Sequence, residues 1–89
     1  MSRRRNYSEA TIAIMERFFQ AFQTSLDNKL IKNTSQFCAT NNIDKRHFYA
    51  QRKDIGRGFF EVGWLIPLIR DCGVSSNWLL TGKGTMYLQ

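Results

Sequence analysis

The sequence predicts an all-α domain of five helices, and three observations carry that expectation. Apolar residues recur at three- and four-residue steps wherever a segment is long enough to show a period. The segments are separated by Asn, Asp, Ser and Gly placed where helices start and stop. Strand-like alternation is confined to the closing TMYLQ. At 89 residues the chain has the size of one small domain with one core, and it holds no internal repeat or low-complexity tract.

Residues 1–7 read as a flexible basic arm carrying Arg3, Arg4 and Arg5, with nothing apolar to bury before Tyr7. Ser8 opens the first helix, about 8–26, whose stripe is Ile12, Met15, Phe19, Phe22 and Leu26, widened by Ile14, Phe18 and Ala21. Asp27, Asn28 and Lys29 interrupt the period, and Leu30 and Ile31 are expected to fold back onto the core. Asn33 or Thr34 then caps a short second helix, about 34–41; Asn33 with Gln36 has capping-box spacing. Asn41 and Asn42 end it, because Asn tolerates the left-handed conformation better than any residue but Gly. Asp44 caps the third helix, about 44–53, so that a tight turn joins the pair and residues 34–53 form a helix-turn-helix. DIGRGFF, residues 54–60, is a loop. A fourth helix near 62–72 has Val62, Leu65, Leu68, Ile69 and Cys72 as its inner stripe, with Pro67 in or near the first turn. Gly73 stops it, Ser75 or Ser76 caps a last helix bearing Trp78, Leu79 and Leu80, and Gly82 and Gly84 close that. The folded domain is placed at 8–85, with 86–89 as a short tail.

Thirteen Lys and Arg against seven Asp and Glu give a formal charge of +6 and a sequence pI near 9.8. Nucleic acid or an acidic surface is the partner class this balance favours. MSRRRN resembles the charged start of a secretory signal, but Glu16 and Arg17 break the apolar segment behind it. The longest apolar run, Trp64 to Ile69, is too short to span a bilayer, so a cytoplasmic protein without membrane contact is expected. Cys38 and Cys72 lack metal or redox spacing, and with His47 they make no zinc set; reduced packing thiols are the expectation. Cys38 and His47 are the one conceivable nucleophile pair, and Cys38 is needed for packing. Neither catalysis, metal, cofactor nor small-molecule ligand is therefore expected.

The stretch NNIDKRHFYAQRK concentrates the positive charge. On a helical wheel Phe48 and Gln51 fall on the core side, while Lys45, Arg46, Tyr49, Ala50 and Lys53 form the outer arc with Arg52 at its edge. Between residues 45 and 57 five cations face a single acid, Asp54. A merely solvated helix face would carry both signs. A helix entering the major groove reads bases from its N-terminal end, and Lys45 and Arg46 are suited to guanine O6 and N7, Tyr49 to a thymine methyl or a phosphate. Thr34, Ser35 and Gln36 at the start of the second helix, with Arg52, Lys53 and Arg57, are phosphate-contact candidates. His47 falls between the two faces and is read as a surface residue or a phosphate contact. Arg3, Arg4 and Arg5 suit the minor groove or the backbone. Trp64 and Trp78 read as core and rim residues, although an exposed Trp64 with Phe59 or Phe60 could form a dimer patch.

QFCATNNIDKRHF puts Phe37 at a core position of the first helix of the pair, Cys38 at a small-residue position, Asn42 at the turn, Ile43 just after it and Phe48 at the buried position of the second. In this it resembles the Cro/CI-type (XRE-like) helix-turn-helix regulators. VGWLIPLIRDCGVSSNWLLTGKGTMY is similar to the last two helices of their phage-repressor-like branch, with WLLTGKG as the most specific part. The resemblance covers residues from about 8 to 87. It implies a five-helix domain of the lambda-repressor-like type, sequence-specific binding of double-stranded DNA, and transcriptional control by a small repressor or other regulator of a bacterium, phage or mobile element. It also implies a homodimer on a two-fold operator. Asn42 stands where the family usually has Gly, and Gln51 where it has an apolar residue, which is expected to loosen the end of the third helix or to shift its frame slightly. Within 89 residues there is no room for the second domain of longer family members, so dimerisation is expected to use this domain's own surface. The competing expectation is a protein-interaction module, antitoxin-like or partner-binding, that keeps the fold without strong DNA binding.

Overall fold

Ser8 adopts an extended conformation and its hydroxyl accepts from the Thr11 N–H at 3.1 Å, which starts helix α1 (Glu9–Asp27). In the computed structural model, which describes residues 6–88, four further helices follow: α2 (Thr34–Thr40), α3 (Lys45–Lys53), α4 (Leu65–Cys72) and α5 (Ser76–Thr81). The all-α expectation holds, and no strand longer than an isolated bridge occurs among the described residues. None of these helices is long and apolar enough to cross a membrane.

Side chains at the starts satisfy the N–H groups that a helix leaves unpaired. Of the two candidate caps for α2 it is Asn33, whose Oδ1 accepts from Gln36 N–H at 2.8 Å. Asp44 accepts from Arg46 and His47 N–H at 2.9 and 3.2 Å, and Ser75 from Trp78 N–H at 3.2 Å. The ends of α1 and α2 share one device. After α2, Ile43 N–H reaches Cys38 O (2.8 Å) and Asn42 N–H reaches Ala39 O (3.4 Å), with Asn42 at φ 57°. After α1, Leu30 N–H reaches Ser25 O (2.8 Å) and Lys29 N–H reaches Leu26 O (3.1 Å), with Lys29 at φ 64°. Both are six-residue Schellman closures built without Gly. Asn supports that conformation through its short polar side chain; Lys does not, and bears its steric cost.

The fourth helical segment departs from the sequence expectation. Val62–Trp64 form a 3-10 turn ahead of α4, and Val62 is 75% exposed rather than part of the inner stripe. A 3-10 turn has three residues per turn, so the 3.6-residue register cannot be carried back through it. Trp64 takes the inward place instead, 6% exposed, which rules out a surface dimer patch built on it. Pro67 is the third residue of α4, where its missing N–H costs no helical bond.

These helices enclose an aromatic core. Phe18 and Phe22 from α1, Phe37 from α2, Phe48 from α3 and Trp64 pack with Leu65, Leu68, Val74 and Leu79. Phe48 occupies the middle, with ring centroids 4.9 Å from Phe22, 5.4 Å from Trp64, 5.9 Å from Phe37 and 6.1 Å from Phe18. The C-terminal segment closes along the second half of α1. Val74 and Tyr87 form an antiparallel bridge, flanked by Ser75 N–H to Met86 O (2.8 Å) and Leu88 N–H to Gly73 O (2.9 Å). The Tyr87 and Ser25 hydroxyls share a 2.6 Å hydrogen bond, and Arg17 Nε donates to Leu79 O at 2.8 Å.

The strain at Lys29 is removable. Replacing it with Gly relieves the left-handed penalty and loses a smaller amount to unfolded-chain entropy, for a net gain of about 0.5–1 kcal/mol. A higher denaturation midpoint for Lys29→Gly, with Lys29→Ala close to wild type, is the expected outcome of urea titration.

Candidate nucleic-acid interface

Nine residues make α3, and four of them are Lys or Arg. A helix this short and this charged has little stability alone. Phe48, fully buried, holds it against α1 and α2 and thereby decides which side faces out. Lys45, Arg46, Tyr49 and Lys53 are exposed on that outer side, Tyr49 with 47% of its surface accessible, and Ala50 is half-buried between them. Lys45 Nζ donates to Ser35 Oγ at 3.3 Å, which brings the starts of α2 and α3 together at one end of the face. Gln36 is exposed beside Ser35. Thr34 is 8% exposed, so its side chain belongs to the wall of the domain and not to this face.

The other candidates are placed around the flank. Arg52 turns toward α1, where its Nη2 donates to Gln23 Oε1 and its Cζ lies 5.7 Å from the Phe22 ring centroid. Gln23 in turn donates to Asp27 at 2.9 Å. Arg52 is therefore engaged on the α1 side instead of standing on the outer arc. His47 stacks on Phe59, with centroids 4.0 Å apart and planes 10° from parallel. Arg57 in the 54–60 loop has its Cζ 5.4 Å from the same ring, and its carbonyl accepts from the Tyr7 hydroxyl at 3.0 Å. Tyr7 is thus fastened to the loop, while Arg3, Arg4 and Arg5 lie outside the described residues.

Gln51 overturns the expectation of a loose helix end. It is fully buried, and its amide is used completely: Nε2 donates to Ile55 O at 2.8 Å and approaches Met15 Sδ at 3.7 Å, while Oε1 accepts from Phe59 and Phe60 N–H at 2.8 and 3.1 Å. One side chain of α3 supplies the backbone partners that a tight loop cannot supply to itself. The only hint in the sequence is a polar residue on the core side of the wheel, three residues ahead of a glycine-bearing loop.

Electrostatics fit the same picture. The N–H of His47, then that of Arg46, together with the charges of both side chains, hold the Asp44 carboxyl below its ordinary value against the opposing effect of desolvation. Burial pushes the Cys38 thiol up, and the nearby Lys45 charge only partly offsets this, so Cys38 stays a neutral packing group. Among the described residues no three His, Cys, Asp or Glu side chains converge to hold a metal ion.

Two outcomes follow from this geometry. Gln51→Leu leaves three loop backbone groups without their partner and is expected to cost about 2–4 kcal/mol, with amide-exchange protection lost at Phe59 and Phe60. Because the folded carboxyl of Asp44 is depressed, its contribution is present above the unfolded carboxyl's pKa and is lost as pH falls through the folded one. The melting-temperature advantage of wild type over Asp44→Asn is therefore expected at neutral pH, should begin to shrink below about pH 4, and should vanish once the folded carboxyl is itself protonated.

No family model, curated protein or solved structure matches the chain, so the functional reading rests on its own geometry.

Proposed function

We propose that this domain binds double-stranded DNA in a sequence-specific way, as a lambda-repressor-like helix-turn-helix regulator that places α3 in the major groove. The observation that carries this is the exposed set Lys45, Arg46, Tyr49 and Lys53 on a helix whose inner side is pinned by Phe48. A major groove about 12 Å wide admits one helix, and long or forked donors near its start reach base edges. In this reading Lys45, Arg46 and Tyr49 contact bases. Ser35, Gln36 and Lys53 contact phosphates on either side. Two copies on a two-fold site, half-sites one helical turn apart, would act as a small transcriptional repressor.

The second reading, a protein-interaction module, is favoured by Val62 in the 3-10 turn and Ile66 in the first turn of α4, apolar residues that are 75% and 54% exposed. Titration of duplex DNA at several salt concentrations separates the two. Arg46→Ala should abolish discrimination between a selected duplex and random sequence. Lys53→Ala should weaken all duplexes alike and reduce the slope of log affinity against log salt by about 0.9, one phosphate's worth. Absence of salt-dependent duplex binding by the wild-type protein would sink the DNA reading and leave the interaction module.

A further inference from the structure

We infer that the cleft between α2 and α4 is a binding site for a small aromatic carboxylate, one ring with one anionic head. The site does not depend on the DNA-binding reading. Residues far apart in the chain enclose it: Leu30 and Ile31 from the connection between α1 and α2, Phe37 from α2, and Pro67 and Cys72 from α4. They give a mostly apolar wall around a space of about 150 Å³ that opens to solvent on one side. An apolar cavity of that volume takes one benzene ring. An open mouth adds a requirement that a closed cavity lacks: the part of the ligand lying there keeps its contact with water and is polar. The wall is fixed before any ligand arrives, because the Leu30 and Ile31 N–H groups both donate to Ser25 O, at 2.8 and 3.2 Å. Little ordering entropy is therefore lost on that side when a ring enters.

The sign of the head group follows from which polar groups of the cleft are already engaged. Lys32, Gln36, Thr40, Asn41 and Asp71 complete its lining. Asp71 is the single acid among them, and each of its oxygens accepts from Arg70, Oδ1 from Nε and Oδ2 from Nη2, both at 2.9 Å. Asn41 Nδ2 donates to Phe37 O at 2.8 Å, and its Oδ1 faces Arg70 Nη2 at 3.5 Å. Lys32, by contrast, is exposed and makes no ion pair among the described residues. The acid of the cleft is thus neutralised and its cation is not, which favours an anion. Burial pushes the Cys72 thiol up, so no thiolate opposes that anion. One ammonium matches the single charge of a carboxylate, whereas a phosphate group carries up to two. Thr40 and Gln36 add neutral donors for the same oxygens.

The backbone amide signals of Ile31, Phe37 and Cys72 report on three walls of the cleft and can be followed by NMR while sodium benzoate is added to the full chain at one pH and ionic strength. A saturable displacement centred on these residues is expected. Benzyl alcohol, which keeps the ring and lacks the charge, should bind about fivefold more weakly, the weight of one exposed ion pair. Acetate, which keeps the charge and lacks the ring, should give no saturable displacement. Lys32→Met should weaken benzoate about fivefold and leave benzyl alcohol unchanged, and Lys32→Arg should restore benzoate. Leu30→Ala, at a half-exposed wall position, should weaken benzoate and benzyl alcohol alike, with its melting transition confirming the fold. No saturable displacement by benzoate, or full benzoate affinity in Leu30→Ala, overturns the site. Benzyl alcohol binding as tightly as benzoate, or benzoate binding unmoved by Lys32→Met, overturns the carboxylate as its ligand class.

Discussion

The insertion of Phe48 into the aromatic cluster is the contact on which the rest of the molecule depends. The helix that carries it has four cationic residues in nine, and like charges placed this close oppose helix formation. Fully burying a Phe side chain contributes about 2–3 kcal/mol, which is large beside anything the exposed residues of α3 supply. Phe48 also touches rings from α1, α2 and the 3-10 turn, so the same side chain sets the angle of the helix and closes the core. Stability and the orientation of the basic face are therefore one variable, not two.

Gln51 adds a second, different constraint one turn later. A buried amide is costly unless every donor and acceptor finds a partner, and here each does. An apolar residue at that place would fill the volume but leave the loop with no internal means of satisfying Ile55, Phe59 and Phe60. The loop that carries Arg57 is thus hung from the same helix that carries Lys45 and Arg46. A rotation of α3 would move them together.

Where the information is local, the sequence is readable. The periods of α1 and α3, the caps at Ser8 and Asp44 and the left-handed Asn42 all follow from neighbouring residues. Val62 leaves the inner stripe because the 3-10 turn that carries it does not share the 3.6-residue period of α4. The roles of Gln51 and Phe59, and the turning of Arg52 toward Gln23, depend on partners from 4 to 36 residues away whose positions are known only after the core has formed. The basic arc could be read from a wheel; which cations leave it for the flank could not. Lys29 illustrates the reverse case, a residue whose type argues against its conformation and is overruled by the two hydrogen bonds that close α1.

The bonds from Arg17 to Leu79 and from Ser25 to Tyr87 each join residues 62 positions apart. At a synthesis rate of roughly 5–20 residues per second, those partners are made about 3–12 s after α1. During that interval the second half of the longest helix lacks part of its permanent cover, and its apolar stripe is open to chaperones or to other nascent chains. The last stretch of polypeptide therefore acts as a latch on the first, and removing a few residues after Val74 should make the newborn chain sticky before it makes the finished one weak.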